Sequence, residues 1–102
     1  MKQRAPTKAE AKYMNQCKDL GCIVCILMGY IKPYEVAPEH TSVHHIDGKT
    51  KEGAHFKSIP LCAEHHQLGR TARHVNKNVF EGLYGKEDYL LKRTMEFLDA
   101  VK

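Results

Sequence analysis

The apolar positions are most regular toward the end of the chain. Tyr89, Leu90, Leu91, Met95, Phe97, Leu98 and Val101 recur on one stripe of residues 86–101, which predicts an amphipathic helix whose apolar side is core. Before it, Val79, Phe80, Leu83 and Tyr84 have near-helical spacing over residues 76–84, and Gly85 stands where a left-handed cap would end that helix. At the other end, residues 8–20 hold Ala, Lys, Glu, Met and Gln in helix-favouring proportion, with Pro6-Thr7 as a start signal. Residues 23–28 form a short apolar stretch, and residues 29–38, with Gly29, Pro33, Pro38, Tyr30 and Tyr34, read as a loop. Residues 41–46 are β-branched and histidine-rich, predicting a strand; residues 58–61 predict a second, brief one. The polar segment 47–53 between them, with Gly48 and Gly53, reads as a turn or loop. Residues 67–78 are a basic connection without a clear helical period. No internal repeat or low-complexity tract stands out. The prediction is an α+β fold with helices flanking a strand pair.

Composition narrows the class. A chain of 102 residues, 42% hydrophobic and without Trp, allows one small domain, residues 1–102, with a thin core, and excludes a large multi-domain enzyme. No run approaches the roughly 20 apolar residues of a membrane span, and residues 1–16 lack the apolar stretch of a signal peptide. A soluble, intracellular protein is expected. Sixteen Lys and Arg against 12 Asp and Glu, formally +4, favour a phosphate backbone as partner without singling it out. Seven His and four Cys change the picture more, because they cluster. In a reducing cytosol such cysteines are better explained as metal ligands than as disulfides, and so small a domain needs a staple.

Cys22-Ile23-Val24-Cys25 is a C-x2-C pair, and Cys62-Ala63-Glu64-His65 supplies a C-x2-H pair. Zinc takes four such ligands tetrahedrally, typically as two short-spaced pairs, so Cys22, Cys25, Cys62 and His65 make a complete structural zinc site with no open position. A buried cysteine pair or a redox C-x-x-C are the alternatives, and neither explains the second pair. Cys17 lies outside both pairs and reads as a half-buried helix residue, or as a substitute for one of the four ligands.

A second constellation comprises His44 and His45, then His55, His66 and His74, too many imidazoles for one structural zinc. On a strand, His44 and His45 point to opposite faces, so one can bind metal while the other meets substrate. A bend near Asp47-Gly48 would instead bring both to one cleft, a metal ligand beside a general base. His40 repeats no ligand spacing and reads as a surface residue.

The order H-H-I-D-G, spacer, I-P-L-C-A-E-H-H resembles the HNH, or ββα-metal, nuclease motif. With G-C-I-V-C before it and L-G-R-T-A-R-H and F-E-G-L-Y-G after it, residues 21–85 are most similar to the phage-type recombination-enhancement (Ref-like) nucleases. The resemblance implies a zinc-stabilised ββα-metal domain in which a helix follows the second strand. It places His45 as general base, His44 and His66 as ligands of a catalytic ion, and His74 as a further ligand or phosphate contact. It also implies DNA as substrate, cleavage directed by a RecA-type recombinase filament, and the cytoplasm of a bacterial host cell. One departure stands out: the middle Asn of the motif is absent, and His55, Lys57 or Ser58 occupies its neighbourhood.

The chemistry of such a site is independent of its name. Phosphodiester hydrolysis needs an activated water, neutralised phosphate oxygens and a stabilised leaving 3′ oxygen. A neutral imidazole can take the water's proton near pH 7, and an ion held by two or three others can bind the phosphate. Such ligands suit Zn, Ni, Co or Mn, and Mg2+ serves where phosphate completes its shell. Lys49, Lys51, Lys57, Arg70 and Arg73 flank the histidines as backbone contacts, or else are solvated surface charges. A metal-dependent DNA endonuclease is the reading these features favour. The alternatives are a zinc-stabilised DNA-binding module without catalysis, for which the missing Asn speaks, and a small protein-interaction domain. The C-terminal apolar stripe either closes the core or joins two chains.

Overall fold

The computed structural model describes residues 5–46 and 54–100. The turn expected at 47–53, with Lys49 and Lys51, lies outside the described residues. Helix α1 (Lys8–Leu20) begins where the sequence predicts, because Thr7 and Glu10 form a reciprocal cap. The Thr7 hydroxyl accepts from the Glu10 amide at 3.1 Å, and the Glu10 carboxylate accepts from the Thr7 amide at 2.9 Å. Two amides without intrahelical acceptors are thereby satisfied. Tyr13, Cys17 and Leu20, spaced i, i+4, i+7, form the buried face. Gly21 ends the helix at φ +99°, a conformation that L residues avoid, and the short helix α2 (Ile23–Leu27) follows directly.

Strands β1 (Thr41–His45) and β2 (Ser58–Cys62) pair antiparallel, from Thr41 opposite Cys62 to His45 opposite Ser58. The Ile46 amide bonds the Lys57 carbonyl. Alternation from that pair puts Val43 and Pro60 at a non-hydrogen-bonded position, where the missing N–H of proline costs no ladder bond. Ser42 and His44 share a face with Ile59 and Leu61, and Thr41, Val43 and His45 lie on the other.

Beyond β2 the chain departs from the helix that the family resemblance implies. It makes one π-helical turn, Glu64–Leu68, closed by a 2.9 Å bond from the Gly69 amide to the Glu64 carbonyl. A Cβ at position 69 would lie 2.6 Å from that carbonyl, so glycine permits the closure and the helix stops there. Helix α3 (Lys77–Tyr84) is capped by Asn76, whose side chain accepts from the Val79 amide. Gly85 ends it at φ +104°, the positive φ foreseen for this glycine, and α4 (Glu87–Asp99) follows.

Two buried clusters hold these elements together. Ile23, Val24, Ile59, Leu61, Phe80 and Leu90 form one, against the Ser42–His44 side of the hairpin. Tyr13, Cys17, Leu20, Ile26 and Leu98 form the other, which Val43 adjoins. The tyrosine locks α1 to the sheet, its hydroxyl donating to the Ser58 carbonyl at 2.8 Å. The C-terminal stripe is divided, since Leu90 and Leu98 close the core while Tyr89 and Met95 stay exposed. Among the described residues no helix is long and apolar enough to cross a membrane.

Candidate metal centres and active site

Cys22 and Cys25 flank the first residues of α2, Cys62 ends β2, and His65 sits in the π turn. Their ligand atoms all lie within 4.8 Å of one another. The separations can be compared with those of a filled site. Zn–S bonds of about 2.3 Å and Zn–N bonds of about 2.0–2.1 Å at tetrahedral angles require S···S near 3.8 Å and S···N near 3.6 Å. Cys25 and Cys62 Sγ are 3.8 Å apart, and His65 Nδ1 lies 3.6, 3.4 and 3.2 Å from the sulfurs of Cys22, Cys25 and Cys62. The donor set and its spacing therefore fit zinc. In the protein alone, thiol-to-thiol hydrogen bonding, from Cys22 to Cys25 and from Cys62 to Cys22, acts with burial to push the Cys22 and Cys62 thiols up to about 11. A cation among them reverses that, because a coordinating thiol gives up its proton. The ring of Tyr84 meets His65 edge-on at 5.1 Å, and its hydroxyl is 2.9 Å from Thr71 Oγ1. Cys17 is fully buried in the α1 core and is not part of this cluster.

The π turn sends its adjacent histidines to different places. His66 joins His44 of β1 and His74 of the following loop, and one nitrogen from each lies within 4.8 Å of the others. That loop is folded back by hydrogen bonds from the Arg73 amide to the His65 carbonyl and from the His74 amide to the His66 carbonyl. His44 and His66 are buried, whereas His74 is exposed, so the cluster opens on one side.

Hydrogen-bond partners settle which nitrogens face the shared point. Ser42 donates its hydroxyl proton to the Leu61 carbonyl at 3.0 Å, so toward His66 Nδ1, at 2.7 Å, it can only accept. The proton of neutral His66 is thus on Nδ1, and the lone pair on Nε2 points to His74 Nε2, 3.0 Å away. His44 gives its Nε2–H to Glu87 at 2.7 Å, which leaves Nδ1 with the lone pair. Burial lowers the His66 pKa to about 4, helped by neighbouring His44, His74 and Arg73, and keeps the ring neutral at pH 7. Burial also lowers His44, outweighing the opposing pull of Glu87. Glu87 is itself buried; hydrogen bonds from Arg73 Nε, at 2.8 Å, and from His44 overcome the burial and hold its carboxyl below the usual range. Two imidazoles thus present lone pairs from a carboxylate-buttressed and a hydroxyl-buttressed ring, an arrangement that suits a divalent cation.

His45 lies across the strand from this cluster, as alternation requires. Its Nε2 is 2.9 Å from Nδ1 of His55, a buried residue of the 3-10 turn Ala54–Phe56, and the rings meet edge-on at 4.9 Å. The segment where the motif's Asn is missing therefore supplies an imidazole against His45. Among the basic residues, Lys57 and Arg70 are exposed, while Arg73 is engaged by Glu87. His40 is exposed, as the sequence suggests. Sequence reasoning missed Ser42 and Glu87. The first had a signal, standing two residues before His44 and so on its face of the strand. The second resembles any acidic residue in a first helical turn.

The fold and its clusters define a small α+β domain with two sets of side chains able to hold a metal. One combines three cysteines with a histidine and the other three histidines, and they adjoin through consecutive histidines of one turn. The family described as recombination enhancement, RecA-dependent nuclease, matches residues 6–99, and the chain belongs to that family. It is accordingly a phosphodiester hydrolase, and the family's description implies action on DNA that depends on RecA.

Proposed function

We propose that the protein is an HNH-type, metal-dependent DNA endonuclease in which His45 is the general base and His44, His66 and His74 hold the catalytic divalent ion, Mg2+, Mn2+ or Zn2+. The observation that carries this reading is the convergence of three imidazole nitrogens, two of them with tautomers assigned by their partners, on one point, with His45 next to His44 in β1 and paired with His55. A divalent cation there supplies charge neutralisation at the scissile phosphate and the departing 3′ oxygen. His45 takes the proton of the attacking water, and His55, hydrogen-bonded to it, orients the ring as the motif's Asn would. Cys22, Cys25, Cys62 and His65 hold a structural zinc that fixes the turn carrying His66. Lys57, Arg70 and the outer edge of the Arg73 guanidinium contact phosphates, together with Lys49 and Lys51. The substrate is DNA presented by a RecA-type filament, in keeping with the family.

Plasmid nicking by wild type and His45→Ala, with and without divalent metal and a recombinase filament, tests this. Loss of a general base typically costs about 10²–10⁴-fold in rate, with zinc content and DNA binding retained. Undiminished metal-dependent nicking by His45→Ala would remove it from the role.

A further inference from the structure

A groove of about 380 Å³ runs between α1 and β1. Ala11, Asn15 and Lys18 of the helix face Thr41, Val43 and His45 of the strand across it, and no carboxylate is among its lining residues. β1 pairs on one side with β2, so the alternation that aims the Ser42 and His44 amides at β2 aims that of Val43 the other way, while the Thr41 amide is bonded to the Pro38 carbonyl. Ser42 also borders the groove, and its hydroxyl touches His66. The groove thus ends at the proposed base, one strand residue from His44 of the proposed metal cluster.

Charge follows the same line. Lys8, Ala11, Asn15 and Lys18, spaced i, i+3, i+7, i+10, lie on one side of α1. Lys8 and Lys18 are exposed, in no ion pair among the described residues, and about 15 Å apart along the helix axis. The acidic residues of α1 lie elsewhere: Glu10 is buried at the Thr7 cap, and Asp19 lines a separate cavity with Tyr34 and Leu98. A span of about 15 Å corresponds to about four phosphates of one strand of a duplex, at roughly 3.4 Å each.

We propose that this groove is where the sugar-phosphate backbone of the DNA strand to be cut lies, with Lys8 and Lys18 on its phosphates and Asn15 as a neutral hydrogen-bonding contact between them. The proposal rests on the nuclease reading for its polarity, since the strand enters along α1 and reaches His45. Small Ala11 leaves room for the backbone, and the Val43 amide is aimed toward it.

The test is DNA binding by the full-length, zinc-loaded protein in a His45→Ala background, read by fluorescence anisotropy over a range of salt. Lys8→Gln/Lys18→Gln and Lys8→Glu/Lys18→Glu are compared with Lys32→Glu/Lys92→Glu, a charge-matched control on other surfaces. Each lost phosphate contact lowers the salt slope by about 0.9 on duplex and about 0.7 on single-stranded DNA, so the size of the change tells which form occupies the groove. Losing both contacts weakens duplex binding roughly 60-fold at about 0.1 M salt. Slopes and affinities equal to the parent's overturn the proposal, as does an equal fall in the control, which would mark a net-charge effect. Nicking by the protein with His45 intact is scored in parallel. If it fails while the groove variants lose binding, the groove stands and the nuclease reading falls; if it succeeds while they bind normally, the reverse holds.

Discussion

Ser42→Ala removes one oxygen and should cost the histidine cluster much of its metal affinity. In the native protein the proton order is fixed: His66 Nδ1–H donates to Ser42 Oγ at 2.7 Å, which donates to the Leu61 carbonyl at 3.0 Å. Without the hydroxyl, Nδ1–H is buried and unpaired, at a cost of about 1–3 kcal/mol. The ring escapes that cost by moving its proton to Nε2, where His74 Nε2, 3.0 Å away, accepts it. That tautomer places a proton where the ion has to bind. The free energy available to oppose binding is therefore about 1–3 kcal/mol, matching the 10- to 100-fold loss typical when a ligand's hydrogen-bonding partner is removed. The assay is a Co2+ titration of protein whose cysteine-rich site already holds zinc, followed by absorbance and calorimetry, so that the second equivalent reports the histidine cluster alone. Ser42→Thr, which retains a hydroxyl, should recover most of the affinity. Glu87→Gln should lose less than Ser42→Ala, because its side-chain carbonyl still accepts from His44 Nε2–H. If Ser42→Ala binds the second equivalent as tightly as wild type, the tautomer argument is wrong.

Two further outcomes follow from the same geometry. Cys25→Ser should remove about one equivalent of zinc and lower the melting temperature sharply, because the three cysteines and His65 tie α2, β2 and the π turn together and structural zinc contributes directly to folding; metal analysis with calorimetry checks this, and an unchanged melt would mean the core suffices. In urea denaturation of protein without metal in the histidine cluster, stability should fall as pH drops from about 6.5 toward 4. His66 is held near 4 in the fold but titrates near 6.5 when unfolded, so the unfolded chain takes up the extra proton, His44 shifts the same way, and the benefit of an ionised Glu87 is lost below its usual range. His66→Gln should flatten that slope; an identical slope in the variant would assign it to other groups.

Much of this fold was legible in the order of residues because local chemistry and tertiary packing agree. Thr7 and Glu10 start α1, Gly85 stops α3, and the apolar stripe of α4 supplies Leu90 and Leu98 to the core, although Tyr89 and Met95, expected there too, are exposed. The cysteine-rich set was legible for a different reason: ligand pairs with two residues between them carry their own geometry, whereas His44, His66 and His74 were grouped through the family resemblance. Hydrogen bonds between distant segments carry no such signature. Glu87 lies 43 residues from His44, and nothing around it distinguishes a carboxylate that buttresses an imidazole from one that simply favours a helix start. His55 was singled out among the residues near the missing Asn, but its contact with His45 was not legible, since the turn that carries it, Ala-His-Phe, is ordinary in sequence.

The two histidine doublets illustrate how neighbours in sequence become members of different sites. On β1 the period of two sends His44 toward Glu87 and the three-histidine cluster and His45 toward His55. After β2 there is no room for alternation, and the π turn does the sorting by rotation: His65 turns to the three cysteines and His66 to His44. The turn's geometry depends on Gly69, whose missing Cβ lets the Glu64 carbonyl close the wide loop. A metal bound through His65 therefore fixes the same five residues that position His66. That gives the cysteine-rich set a consequence beyond stability: it holds one imidazole of the histidine cluster in register with the strand that supplies another.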